Sequence, residues 1–270
     1  MPFELLVLDL DGVVLDSSMR VEPALEAGLK RAMARGLRVA LATGRMPAGS
    51  RPYWERFGIS TPVILYNGAL IRDPVNGTAL YTRSLPRGLA WQIYPIYINA
   101  PVDPLLYQDD TLYCLKKTPP ILTYCEEQAL DAVEIAHRET FLREQSFVKC
   151  LFIGQPAVLS RLRGKLAQAV GSARLVLSRP DYLELLPADA SKGEALRFLA
   201  GYLGISLDRV IAAGDHENDL EMIRAAGLGI AMPHSPPHVR AAADRVAPPA
   251  ESGGLAALLA ELCPEHFRPE

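Results

Sequence analysis

Short apolar runs that stop abruptly at polar clusters recur at both ends of this chain. Phe3 to Leu8 ends at Asp9-Leu10-Asp11-Gly12, Leu37 to Ala42 at Thr43-Gly44-Arg45, and Pro62 to Tyr66 at Asn67-Gly68. Each run has the length of a buried strand, and the polar cluster after it reads as a turn. Between the first two, Pro23 to about Arg35 has helical spacing and is closed by Gly36, and a further helix should follow Arg45. Asn76-Gly77 marks a hairpin between Ala69-Arg72 and Ala79-Thr82. The same grammar returns downstream: Arg209 to Ala213 runs into Gly214-Asp215, Leu220 to Ala226 is helical and stopped by Gly227, and Leu228 to Met232 is again strand-like. Strands alternating with helices predict an α/β fold with a doubly wound, mostly parallel, Rossmann-like sheet.

Between about Arg83 and Leu186 the rhythm changes. Paired strand-like runs (Leu105-Gln108 and Leu112-Lys116) precede a predicted helix near Glu126-Arg138, a strand at Phe147-Ile153 and a helix at Ala157-Ala169. This segment reads as an inserted α+β module. The expected division is a core from 1–82 and 187–270, with 83–186 inserted into it.

Composition narrows the function classes. A hydrophobic fraction of 49% and a charged fraction of 22% are those of a folded globular chain. A formal net charge of -3 without clustered Lys and Arg argues against nucleic acid as a partner, and no apolar run approaches the ~18 residues of a membrane span. The expectation is a cytoplasmic protein acting on small molecules. Four scattered cysteines form no CxxC pair and read as buried free thiols. His216 lies within a polar loop but is left out of the chemistry, and His137, His234, His238 and His266 read as surface or packing residues.

In an open parallel sheet, ligands bind beyond the carboxyl ends of the strands, and three of these strands end in Asp9, Thr43 and Asp215. Residues two apart on an extended segment face the same way, so Asp9 and Asp11 can share one pocket. Their mutual repulsion must be relieved by a cation or a shared proton. A hard ion such as Mg²⁺ suits an all-oxygen site, with Asp9 and Asp215 as its carboxylates and Asp11 left for proton transfer. Ser191-Lys192-Gly193-Glu194 has capping-box spacing and opens a helix through Ala195-Leu203, placing Lys192 where a cation opposes the helix dipole unless it meets an anion. Thr43 and Gly44, also ahead of a helix, offer a hydroxyl and N–H groups to a phosphate oxygen. Gly214-Asp215-His216-Glu217-Asn218-Asp219 is too dense in acidic and amide groups to be explained as structure alone.

Together Asp9-Leu10-Asp11-Gly12, Thr43-Gly44-Arg45, Lys192 and the Gly214–Asp219 loop resemble, in order and context, the four motifs of the haloacid dehalogenase-like hydrolase superfamily. The Asn67-Gly68-Ala69 loop and the large insertion resemble its Cof-type branch, with an α+β cap of the second class. The resemblance implies a phosphatase in which Asp9 is the nucleophile and Asp11 the acid and base. It implies Mg²⁺ held by the Asp9 carboxylate, the Asp11 backbone carbonyl and Asp215, with Thr43 and Lys192 on the phosphoryl oxygens. Gly44, Arg45, Asn67 and Asn218 would line the phosphate, and Asn218 and Asp219 would orient Lys192 or metal-bound water. The branch implies sugar phosphates or related phosphorylated metabolites as substrates. Two departures stand out: Val13 where the family commonly has Thr, and Pro233-His234-Ser235 where it has a small Gly-Asn-Ala-like segment. A phosphomutase or phosphotransferase, or a non-catalytic phosphate sensor, could share the fold, and monomer and homodimer are equally open.

Overall fold

The structure, a computed structural model, describes residues 3–268. In chain order the first elements are β1 (Leu5–Leu8), α1 (Pro23–Ala34), β2 (Arg38–Leu41), α2 (Pro47–Phe57), β3 (Val63–Leu65), β4 (Leu70–Arg72) and β5 (Ala79–Thr82). The middle of the chain adds α3 (Leu89–Tyr97), β6 (Val102–Gln108), β7 (Thr111–Cys114), α4 (Pro119–Gln128), β8 (Ala132–Glu134), α5 (Arg138–Glu144), β9 (Lys149–Gly154), α6 (Pro156–Ala167), β10 (Arg174–Arg179) and β11 (Tyr182–Leu186). Then follow α7 (Lys192–Leu203), β12 (Val210–Gly214), α8 (Leu220–Ala225), β13 (Leu228–Ala231), α9 (Pro237–Ala242), β14 (Arg245–Val246), α10 (Gly254–Leu262) and α11 (Pro264–Phe267).

The chain divides into two compact units. One holds the chain up to Arg45, Ser50–Tyr81, and everything from Ser191 onward; the other holds Met46–Gly49 and Thr82–Ala190. In the first, five parallel strands lie in the order β14-β13-β12-β1-β2. β1 and β12 are buried along their whole length, as helices on both faces of a parallel sheet require, and this is why they read as unbroken apolar runs. On one face Leu5, Val7, Ala40 and Ala212 pack against Leu196, Leu199 and Ala200 of α7 and Met222 of α8. β3 meets the strand-end residue Ala42 in a single bridge and starts a separate sheet ordered β3-β4-β5. Because β1 lies between β2 and β12, the loops after these three strands emerge side by side.

The second unit is a six-stranded sheet ordered β10-β11-β9-β6-β7-β8, antiparallel except where β7 meets β8. Leu106, Cys150, Phe152, Leu183 and Leu185 form its apolar core with residues of α3, α5 and α6. The helix expected near Glu126-Arg138 does not form. Pro119-Pro120 open α4 upstream, in the first turn where the missing N–H is tolerated. α4 then ends at Gln128, with Ala129 in a left-handed conformation at φ 52°. The stretch beyond it pairs as β8, Val133 opposite Tyr113, and a new helix starts only at Arg138. All four cysteines are buried and free. Among the described residues no helix is long and apolar enough to cross a membrane.

Candidate active site

Lys192 is the first residue of α7 and is fully buried at 0% exposure. Its ammonium donates to Asp9 Oδ1 at 2.7 Å and to Asp219 Oδ1 at 2.6 Å. The helix end is held by Ser191, whose Oγ accepts the Glu194 N–H at 3.1 Å and donates to Glu221 Oε2 of α8 at 2.5 Å. Burial alone would lower the Lys192 pKa, but Asp219 and Asp9 more than reverse it, so the lysine is held as the ammonium.

Asp9 follows the buried strand β1 and is 5% exposed; Asp215 follows β12 and is 9% exposed; Asp219 is fully enclosed at 0%. One oxygen from each lies within 4.8 Å of the others. Burial first, then the Asp219 charge, pushes Asp9 well above the ordinary carboxylate value, against the pull of Lys192. Asp215 is raised by the same two causes in the same order. Asp219 Oδ2 accepts the backbone N–H of Asp215 at 2.9 Å and of His216 at 3.0 Å. Asp219 therefore braces the loop and the lysine, which leaves Asp9 and Asp215 as the carboxylates available to a cation.

Two glycines make this crowding possible. A Cβ on Gly12, which sits at φ +84°, would lie 2.3 Å from Asp215 Oδ2, and one on Gly214 would lie 2.3 Å from the Asp219 Cβ. Neither position has room for a side chain.

Thr43 is buried at the end of β2, and its Oγ1 accepts the Arg45 N–H at 3.1 Å. The Arg45 side chain was expected on phosphate. Here its guanidinium grips the Asp11 carboxylate, Nε at 2.8 Å and Nη2 at 2.5 Å, and lies 5.4 Å from the centre of the Tyr53 ring. Asn218 was expected near Lys192 or a water; its Nδ2 donates to Asn67 Oδ1 at 2.9 Å. Asn67 sits in the left-handed region at φ 55°, and its amide would be 3.0 Å from a Cβ on Gly44. The Asn67-Asn218 pair thus ties the loop after β3 to the loop after β12, beside Gly44.

Two histidines that sequence reasoning assigned to surface or packing lie against this site. His234 Nε2 is 3.3 Å from Asp215 Oδ2, and His238 pairs with Glu217. The trace of this in the sequence was the departure at Pro233-His234-Ser235, where an imidazole stands in a segment otherwise small.

Three acidic groups thus face one ammonium at the carboxyl ends of parallel strands. A family model described as haloacid dehalogenase-like hydrolase matches residues 6–259. The HMP-PP phosphatase of Cronobacter sakazakii is 30% identical over 240 residues, 86% of this chain and 85% of that protein. The 5-amino-6-(5-phospho-D-ribitylamino)uracil phosphatase YitU of Bacillus subtilis is 27% identical over 270 residues, 95% of this chain and 96% of that protein. A crystal structure of a haloacid dehalogenase-like hydrolase from Bacteroides thetaiotaomicron matches with a TM-score of 0.88 at 26% identity, covering 96% of this chain and 99% of that one. With motifs, fold and relatives in agreement, this chain belongs to the haloacid dehalogenase-like hydrolase family and is a phosphoric monoester hydrolase.

Proposed function

We propose that this protein is a Mg²⁺-dependent phosphatase of small phosphorylated metabolites, sugar phosphates foremost, working through a phosphoaspartate on Asp9. The observation that carries this reading is a charge count. Asp9, Asp215 and Asp219 bring three negative charges to one buried cluster, and Lys192 returns one positive charge. With all three ionised, the balance of -2 is costly to bury unless a cation or a shared proton joins it, and a cation leaves Asp9 ionised for attack. Carboxylate oxygens, with the Asp11 backbone carbonyl, are the donors a hard divalent ion prefers, so the residues present fit Mg²⁺. When bound there, Mg²⁺ supplies charge neutralisation to the phosphoryl oxygens.

The chain's own groups do the rest. The Asp9 carboxylate attacks phosphorus as the P–O bond to the leaving alcohol breaks, and the Asp11 carboxyl gives its proton to the departing oxygen. Water then attacks the phosphoaspartate, its proton passes to Asp11, and the P–O bond to Asp9 breaks to release phosphate and restore both residues. Lys192, fixed by Asp219, meets the charge on the transferring oxygens, and the Thr43 hydroxyl, whose oxygen already accepts from Arg45, retains a proton to donate to one of them. Arg45 holds both Asp11 carboxylate oxygens by hydrogen bonds, a positioning contact of which one bond must open before Asp11 carries a proton. A relative named as a 5-amino-6-(5-phospho-D-ribitylamino)uracil phosphatase favours a small phosphorylated metabolite as the substrate class.

The test is phosphate release from a panel of sugar phosphates, nucleotides and an aryl phosphate, with Mg²⁺ or chelator, for wild type and Asp9→Asn. Release should require Mg²⁺, favour sugar phosphates by kcat/KM, and fall at least ~10³-fold in Asp9→Asn. Release that persists in chelator, or in Asp9→Asn, would overturn the reading.

A further inference from the structure

The loop between β13 and α9 is tied down at every turn. Met232 N donates to Gly214 O at 3.2 Å, at the end of β12, and to Ser235 Oγ at 3.1 Å. Ser235 is buried, and its own N–H returns to Met232 O at 3.1 Å. The Arg240 guanidinium of α9 donates to Pro233 O at 3.3 Å and to Ser235 O at 2.5 Å, clasping the backbone on both sides of His234. The loop thus presents the imidazole in one place although the side chain itself is half exposed.

There Nε2 lies 3.3 Å from Asp215 Oδ2. An unprotonated nitrogen would face a carboxylate oxygen lone pair to lone pair, so the contact selects the tautomer with the proton on Nε2, which donates to Asp215. A second histidine contact, from His238 in the first turn of α9 to Glu217, lies four residues along from His234. The Asp215 backbone N–H is fixed by Asp219, and its carboxylate is fixed by His234.

We propose that His234 is a positioning residue for the cation site: its Nε2–H holds the Asp215 carboxylate in the orientation that receives the metal. The assignment rests on the reading of Asp215 as a ligand. Carboxylates that bind metals are commonly held by such outer hydrogen bonds, whose loss lowers metal affinity about 10–100-fold.

The experiment is calorimetric titration of Mg²⁺ into substrate-free wild type, His234→Ala and His234→Gln at one fixed pH, with melting temperatures taken in chelator. His234→Ala should raise the Mg²⁺ Kd about 10-fold or more, and His234→Gln, which keeps an N–H at similar reach, should stay within about threefold of wild type. Melting temperatures in chelator should be alike, because a half-exposed loop side chain contributes little to the core. A Kd in His234→Ala within twofold of wild type would overturn the role, as would a loss that His234→Gln shares in full. Failure of wild type itself to bind Mg²⁺ would overturn the cation reading of Asp9 and Asp215 along with it, a result distinct from both.

Discussion

Lys192 stands in the first turn of α7, where a cation is opposed by about 0.3–1 kcal/mol of dipole energy. Two charge-assisted hydrogen bonds, to Asp9 and Asp219, outweigh that opposition at about 1.5–3 kcal/mol each. The carboxylates carry the remaining cost. Asp215 has its pKa raised by burial and by Asp219. A carboxyl raised in the folded state binds more protons there than in the unfolded chain. Stability therefore falls as pH rises from the unfolded value of about 3.9 through the raised folded one. In chelator, Asp215→Asn should melt higher than wild type at neutral pH, and the gain should vanish below about pH 4, where both states are protonated. Scanning calorimetry at the two pH values reads this directly. A variant that melts lower at neutral pH would show that Asp215 is not under electrostatic strain.

At the level of elements, the inserted sheet holds an ion pair that the hydrolytic chemistry does not use. Lys149 of β9 and Glu184 of β11 pair at 3.0 Å with both side chains buried, Ser178 Oγ donates to the same carboxylate oxygen at 2.9 Å, and the Lys149 ammonium lies 4.9 Å from the centre of the Tyr107 ring. Glu184→Leu should cost about 3–5 kcal/mol in urea unfolding by stranding the lysine, whereas Lys149→Leu with Glu184→Leu should recover most of it. A double variant no more stable than the single would mean that the pair is not the source. Both residues stood in apolar runs of the sequence, but their meeting depends on the β9-β11 register, which no local pattern encodes. The misplaced helix near Glu126-Arg138 has the same origin. Helical composition there is overridden by the pairing of β8 with β7. The sequence pattern hides α3 because Pro95 lies inside it. The strands of the parallel sheet were legible because burial on both faces makes them continuous apolar runs with abrupt polar ends.

Across the whole molecule, residues 9–11, 43–45, 192 and 215–219 are far apart in the chain, yet the site was readable because each falls at the end of a strand or the start of a helix. Parallel order with β1 between β12 and β2 then brings Asp9, Lys192, Asp215 and Asp219 together. What stayed hidden was how these groups hold one another: Arg45 on Asp11, Asn218 on Asn67, and His234 on Asp215 are side-chain choices made in three dimensions. Passage of the phosphoryl group through the Asp9 carboxylate is tested by acid-quenching the enzyme during turnover of a ³²P-labelled sugar phosphate with Mg²⁺ and mapping the label by peptide mass spectrometry. Label should fall on Asp9 and not on Asp11, and should be absent when Mg²⁺ is chelated. Steady release of phosphate with no labelled enzyme, or label on another residue, would contradict it.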